Sequence, residues 1–443
     1  MTVLRRLLPL ILLAAALLPA TARAASSGPC VPGTAGPTCR FWAARVTFVA
    51  DGDTIRVRVD GDPSGGERTI RFTGINAMEL HRYSSDPRKR RGDCHAVEAT
   101  AVVERLIRRA HGRVRLAAQS AASVTGGRLR RSVAVRVGGR WQDLGRAVMQ
   151  RGLALWLPNP VEYAHNLEYR RLAQEAAAAH RGLSDPASCG AGPDQDLPIE
   201  VLVNWDADGD DRANVNGEWV DIRNDGARDL PLGGWWFRDS WLNYNRHHVP
   251  GFEFPAYARV PAGGSVRLHM GCGPNTPATP TVLYWCRHQA VFENAGDQRT
   301  QVGDGGYLFD PQGDLRGSMI YPCAVGCGDP LAGAVRLAVH PTAPESIDIS
   351  NVSGAPVSLD RHLVVLHTRS GASILSDPLG PSAVLLPGQT LELLTVGSAA
   401  QDAPLVRHIA GNGALLADTG NAVSLRTYAD AVVACTAWGI GRC

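Results

Sequence analysis

The sequence predicts a multidomain chain: an α+β barrel with helices packed against it, followed by two all-β sandwiches. Three observations carry this expectation. Strand-like alternation and amphipathic helical patterns mix over residues 43–190, whereas beyond a Gly/Pro/Asp linker at 191–198 short strands and turns take over. The region after the linker repeats itself at a nearly constant offset. The chain has 443 residues, too many for one domain at roughly 100–200 residues each.

At the start, Arg5 and Arg6, the apolar run 7–20 and Ala22-Arg23-Ala24 read as a secretory signal peptide spanning 1–24. The run is too short for a comfortable membrane span and contains Pro9 and Pro19. A secreted, extracellular product is expected, with a short lead segment at 25–42 and no transmembrane segment in the mature chain. All ten cysteines lie beyond the cleavage site, where an oxidising compartment favours disulfides. Short-range pairing suggests Cys30–Cys39, Cys272–Cys286, Cys323–Cys327 and Cys435–Cys443, which leaves Cys94–Cys189. Connectivity is not fixed by spacing alone, and a zinc ligand pair at Cys323 and Cys327 is the rival reading.

In the first domain, strand patterns flank the turn Asp51-Gly52-Asp53 over 46–59, and another strand covers 68–75. Residues 99–110 form a helix with Val102, Val103, Leu106, Ile107 and Ala110 on one face. Strands at 114–118 and 131–137 and helices at 144–151 and 162–180 complete the unit. In the second half, 218–224 (EWVDIRN) returns as 345–351 (ESIDISN), and 261–268 (PAGGSVRL) returns as 387–393 (PGQTLEL). Likewise 294–297 (NAGD) returns as 418–421 (DTGN). Offsets of 127, 126 and 124 mean two related domains, 199–329 and 330–443, rather than a solenoid.

The net charge of +3 hides a split. Residues 40–190 hold 26 basic and 15 acidic residues, and residues 191–443 hold 16 and 27, balances of +11 and −11. The basic half suits a polyanion, nucleic acid above all; the bland alternative is two domains with different surfaces. Tethering across one short linker brings the acidic half near the barrel, where it should compete with the polyanion, so the isolated first domain is expected to bind nucleic acid more tightly than the full chain at low salt. With 44% hydrophobic and 20% charged residues, the chain is neither a disordered polyelectrolyte nor a collagen-like fibre.

The chemistry-bearing residues of the basic domain come in a specific order. Asp51-Gly52-Asp53-Thr54 sits in a strand-to-strand turn, Arg71 lies on the next strand, and Glu79 follows Gly74-Ile75-Asn76-Ala77-Met78. Arg131 opens a later strand, and Gln150-Arg-Gly-Leu-Ala154 ends a helix. Singly, each is an ordinary turn or surface residue. Together, over about 43–186, they resemble the staphylococcal-nuclease (thermonuclease) family, an OB-fold barrel with three helices. The resemblance implies Asp53, Asn76 and Ala77 as calcium ligands, Arg71 and Arg131 as phosphate binders, and Glu79 as general base. It also implies cleavage of the 5′ P–O bond, leaving 3′-phosphate ends. Two departures stand out: Asn76 occupies the family's second calcium-binding aspartate, and Met78 its proline. The loss of one charge implies weaker calcium binding.

The residue types fit phosphodiester hydrolysis on their own terms. A carboxylate can take a proton from water, and forked arginines match phosphate oxygens. Trp156 and Tyr163 are base-stacking candidates by position, with core packing as the alternative. Arg82, Arg88, Lys89, Arg90 and Arg91 form a basic run that could steer nucleic acid.

Residues 199–325 resemble a lamin-tail domain, an immunoglobulin-like sandwich, through 216–224 (NGEWVDIRN), 232–236 (LGGWW), 261–265, 283–285 and 292–297. Residues 333–443 resemble a degenerate second copy. The resemblance implies interaction modules with no catalytic residues and a cell-surface or protein partner. Asp206-Ala-Asp-Gly-Asp210 looks like a calcium loop, but Asp211 and Gly217 fall where an EF-hand needs Gly and Glu. His247-His248 reads as a loop. The leading expectation is a secreted calcium-dependent nuclease acting on DNA and/or RNA. The alternative is a non-catalytic adhesion or nucleic-acid-binding protein with a relic barrel.

Overall fold

The computed structural model describes residues 26–81, 93–188, 198–241, 251–296, 302–368, 370, 373–409 and 415–443. The expected signal peptide, the basic run 82–91, Cys189, linker residues up to 197 and His247-His248 lie outside the described residues. The fold is mostly β, with 39% strand and 12% helix. The described α-helices all fall between residues 96 and 178, so the α component belongs to the first unit alone.

That unit runs β1 (Ser26–Pro29), β2 (Thr38–Val49), β3 (Thr54–Val59), β4 (Glu67–Phe72), β5 (Ile75–Ala77) and α1 (Ala96–Arg109). It continues with β6 (Arg113–Ala118), β7 (Val124–Thr125), β8 (Arg128–Val137), β9 (Arg140–Asp143), α2 (Leu144–Met149), β10 (Ala154–Trp156) and α3 (Asn166–Ala178). Strands β2, β3, β4, β8 and β6 close into a five-stranded barrel, β6 returning to β2. One seam, β4 with β8, is parallel, while the other four are antiparallel. Alternate residues of the strands fill the barrel: Ile55 and Val57, Ile70 and Phe72, Val133 and Val135. Helix α1 buries Val102, Val103, Leu106 and Ile107, the face its 3.6-residue pattern marks out. Outside the barrel, β5 pairs with β10 and aligns Asn76 with Leu155 and Ile75 with Trp156.

The second unit has β11 (Ile199–Asn204), β12 (Trp219–Asn224), β13 (Leu230–Pro231), β14 (Trp236–Arg238) and β15 (Phe252–Glu253). β16 (Arg259–Val260), β17 (Ser265–His269), β18 (Val282–Tyr284), β19 (Gly305–Phe309) and β20 (Leu315–Ile320) follow. Sheets β11-β12-β17-β18 and β15-β14-β19-β20 enclose a core containing Val203, Val220, Phe237, Leu268 and Leu308. The third unit repeats this topology. Val335–His340, Ser346–Asn351, Thr390–Leu394 and Val406–His408 form one sheet, with the last pair parallel as β17 and β18 are. The repeated asparagines also share a role. Asn224 Nδ2 donates to the carbonyls of Arg228 and Val260, and Asn351 Nδ2 to those of Ala355 and Leu385. A buried amide that ties two loops together explains why this position survives in both copies.

The four short-range disulfides form as expected, which replaces the zinc reading of Cys323 and Cys327. Cys94 is disulfide-bonded too, and its expected partner lies outside the described residues. No described helix is long and apolar enough to cross a membrane.

The units are docked against one another, not merely tethered. Met78, Leu80, Leu155 and Leu183 of the barrel unit share an apolar cluster with Tyr307 and Phe309 of β19. Gln174 on α3 donates to the carbonyls of Ile320 and Pro322 at 2.8 and 3.0 Å and accepts from the N–H groups of Ala324 and Val325. Between the second and third units, Arg223 forks onto Asp360 and Trp205 donates to the Tyr428 carbonyl.

Candidate functional site

The turn between β2 and β3 is built around its carboxylates. Asp51 Oδ1 accepts the Asp53 N–H at 2.9 Å, an Asx-type turn that aims Asp53 inward. A Cβ at Gly52 would lie 2.6 Å from Ala99 Cβ and 2.9 Å from Ala77 Cβ, so only glycine lets this turn rest against α1 and β5.

Asp53 is fully buried. Its Oδ1 accepts from the Thr54 hydroxyl at 2.9 Å and from Arg71, and its Oδ2 accepts the Ala77 N–H at 2.7 Å. Burial drives its carboxyl well above the usual carboxylate range, with Arg71 opposing. Arg71, directly opposite Thr54 in the β3–β4 pairing, also donates through Nη2 to Asn76 Oδ1 at 2.9 Å. The Asn76 Nδ2 is buried with no partner among the described residues.

This arrangement does not fit the calcium set expected at Asp53, Asn76 and Ala77. The Arg71 guanidinium bridges the side-chain oxygens of Asp53 and Asn76, where a cation held by both would sit. Asp53's other oxygen is engaged by a backbone N–H, and Ala77 can offer only a carbonyl. Among the described residues, no group of three or more His, Cys, Asp or Glu is arranged to hold a metal ion. The Asp206 loop serves another purpose: Asp208 accepts the Ser376 N–H across the joint with the third unit.

Glu79 lies just beyond β5, half-buried, and its carboxylate has no hydrogen-bond partner among the described residues. Burial raises its pKa, the Asp51 charge raises it further, and Arg71 and His81 oppose. A base with a raised pKa loses activity as pH falls through that raised value, so the acid limb should stand above that of an ordinary glutamate. Asp51→Asn keeps a side-chain oxygen to accept the Asp53 N–H but deletes the like charge. Its acid limb should move to lower pH, read as kcat/KM against pH; an unmoved limb would separate Asp51 from Glu79.

The two later arginines have different fates. Arg131 is buried, donates to the carbonyls of Ala121, Ser123 and Arg130, and lies over the Trp42 ring. Its donors are taken up by the loop between β6 and β7 and by its own strand, so the expected phosphate role does not fit its position. Arg130 instead stands beside Arg71 in the parallel β4–β8 pairing, so both side chains project from one face. The Arg130 guanidinium is half-buried, without a hydrogen bond or ion pair among the described residues. Burial lowers its pKa, Glu162 opposes, and the Arg71 charge lowers it further. From sequence, Arg131 opens the strand after Leu129-Arg130 and takes its phosphate role from the family resemblance; only the register with β4 tells the two arginines apart.

Trp156 is fully buried in the pairing with Ile75 and presents no face to a ligand, so core packing is its role. Tyr163 is half-buried in a short 3₁₀ turn, Tyr163–His165. Comparison with known protein families finds no matching family model, and comparison with curated proteins finds no match.

Proposed function

We propose that this protein is an extracellular phosphodiesterase acting on nucleic acid, a nuclease of the staphylococcal-nuclease type. Its two repeated β-units are read as lamin-tail-like, immunoglobulin-like interaction modules. The observation that carries the reading is the pair Arg71 and Arg130. Two arginines side by side repel, and the half-buried Arg130, which makes no hydrogen bond or ion pair among the described residues, has donors free for an anion. A phosphodiester supplies the charge and the bidentate oxygens that arginine matches.

In this reading Glu79 removes a proton from water as the water oxygen attacks phosphorus. Arg71 and Arg130 stabilise the charge gathering on the non-bridging oxygens, and the 5′ oxygen leaves. Asp53 and Asn76 hold Arg71 in place through two of its five N–H donors, leaving the others for phosphate. No step runs through calcium, because the donor set expected for it is occupied by Arg71.

The test is hydrolysis of a single-stranded oligonucleotide by the purified chain, with and without added calcium. Turnover is expected in both. Arg130→Ala should lower kcat/KM about 10- to 100-fold, the scale of one charge-assisted hydrogen bond, whereas no hydrolysis by the wild type would leave a nucleic-acid-binding barrel.

A further inference from the structure

The face that carries Arg71 and Arg130 does not open onto bulk solvent alone; the second unit reaches it. From β14 the chain continues through Asp239 and Ser240, both buried. Arg238 donates to the carbonyls of Asp239 and Ser240 at 2.9 and 2.7 Å, and the Ser240 N–H reaches Asp304 Oδ1 at 3.3 Å. This pinned segment delivers Trp241, half-buried, with its ring centroid 5.9 Å from Arg130 Cζ. The unit that holds it is itself anchored, since Tyr307, opposite Arg238 in the β14–β19 pairing, reaches the Trp156 carbonyl.

An indole held beside an arginine that makes no ion pair among the described residues, with a second arginine paired next to it across the strands, has a specific chemical meaning. A nucleotide offers an anion and a flat π-surface separated by one sugar. Arginine takes the first and tryptophan the second, with stacking that tolerates any base. Bases of a duplex are stacked on each other and paired, so they do not reach such a ring, whereas those of a single strand do.

Building on the nuclease reading above, we propose that the substrate groove runs between the barrel and the second unit, that Trp241 is its base-stacking platform, and that the groove selects single-stranded nucleic acid over duplex. The second unit is thereby part of the substrate site rather than an appendage. The charge split keeps a role: the arginines of one unit bind phosphate while the other supplies an aromatic ring.

The test uses the full chain carrying Glu79→Gln, so that binding is read without turnover. Probes are a fluorescent single-stranded oligonucleotide, the same strand with abasic positions, and its duplex. The single strand should bind more tightly than either of the others. Adding Trp241→Ala should weaken single-strand binding roughly 5- to 100-fold, the range for loss of one base–aromatic stack, and leave abasic binding unchanged. Trp241→Phe, which keeps a π-face, should recover most of the loss; the thermal midpoint of each variant checks that it is folded. Unchanged or tighter binding by Trp241→Ala would overturn the proposal, the latter identifying Trp241 as a cap on the arginines. Equal binding of strand and abasic strand by the parent would overturn it too. Hydrolysis by the wild type is scored separately: a chain that cleaves but shows no Trp241 effect loses this inference and keeps the nuclease reading. A chain that binds through Trp241 without cleaving loses only the latter.

Discussion

Glu79→Gln should lower kcat for oligonucleotide hydrolysis by about 10²–10⁴-fold, the contribution of a positioned general base. The amide matches the carboxylate in shape but cannot accept a proton from water. The site is suited to showing this cleanly. Glu79 carries no structural hydrogen bond through its carboxylate among the described residues, so its replacement breaks no network. Removing a half-buried charge that burial and Asp51 already disfavour should also leave stability unchanged or raised. The expected signature is therefore a large loss in kcat, little change in oligonucleotide affinity and an unchanged or higher melting temperature. Turnover within tenfold of wild type would remove Glu79 from the chemistry and turn attention to Asp51, the carboxylate whose charge acts on Glu79.

Phe309→Ala should cost about 3–5 kcal/mol of stability and, separately, reduce kcat. The first effect is the usual cost of truncating a buried aromatic. Phe309 is 3% exposed and stacks on Trp236 with centroids 5.5 Å apart. The second effect follows from what else it packs with. Its cluster includes Met78 and Leu80, the residues on either side of Glu79. A loop that carries a general base between two buried anchors is held by those anchors, and a shift of about 1 Å in a catalytic group can cost about 10²-fold. Phe237→Ala is the control. Phe237 is equally buried in the second unit's own core, outside that cluster, so it should destabilise to a similar degree while kcat of the folded protein holds. Equal kcat for the two variants, assayed well below both melting temperatures, would mean that the second unit braces the fold and not the base.

The same interface reverses one expectation from charge. Judged by charge alone, an acidic unit tethered near the barrel would compete with nucleic acid, and removing it would tighten binding. The docked arrangement makes removal costly instead, because Met78, Leu80, Leu155 and Leu183 would lose the surface that Tyr307 and Phe309 provide. Charge totals over 191–443 say nothing about which of those residues face the barrel, and the contact joins an apolar cluster with the hydrogen bonds of Gln174.

What the sequence alone determined is everything that depends on neighbours along the chain. The turn Asp51-Gly52-Asp53 is legible because it needs a glycine between two acceptors, and the α1 face because apolar residues recur at helical spacing. The duplication is legible because Asn224 and Asn351 do the same local work in each copy, and four disulfides because their cysteines lie within 14 residues of each other. The tertiary structure decided what depends on register and docking. A one-residue step along β8 sends a side chain to the opposite face, so only the parallel pairing with β4 puts Arg130 beside Arg71 and leaves Arg131 buried against the loop at 121–123. Only folding brings Asp53 and Asn76 onto one guanidinium. And Trp241, 111 positions after Arg130 in another unit, reaches that arginine because an apolar surface holds the two units together, which no spacing along the chain encodes.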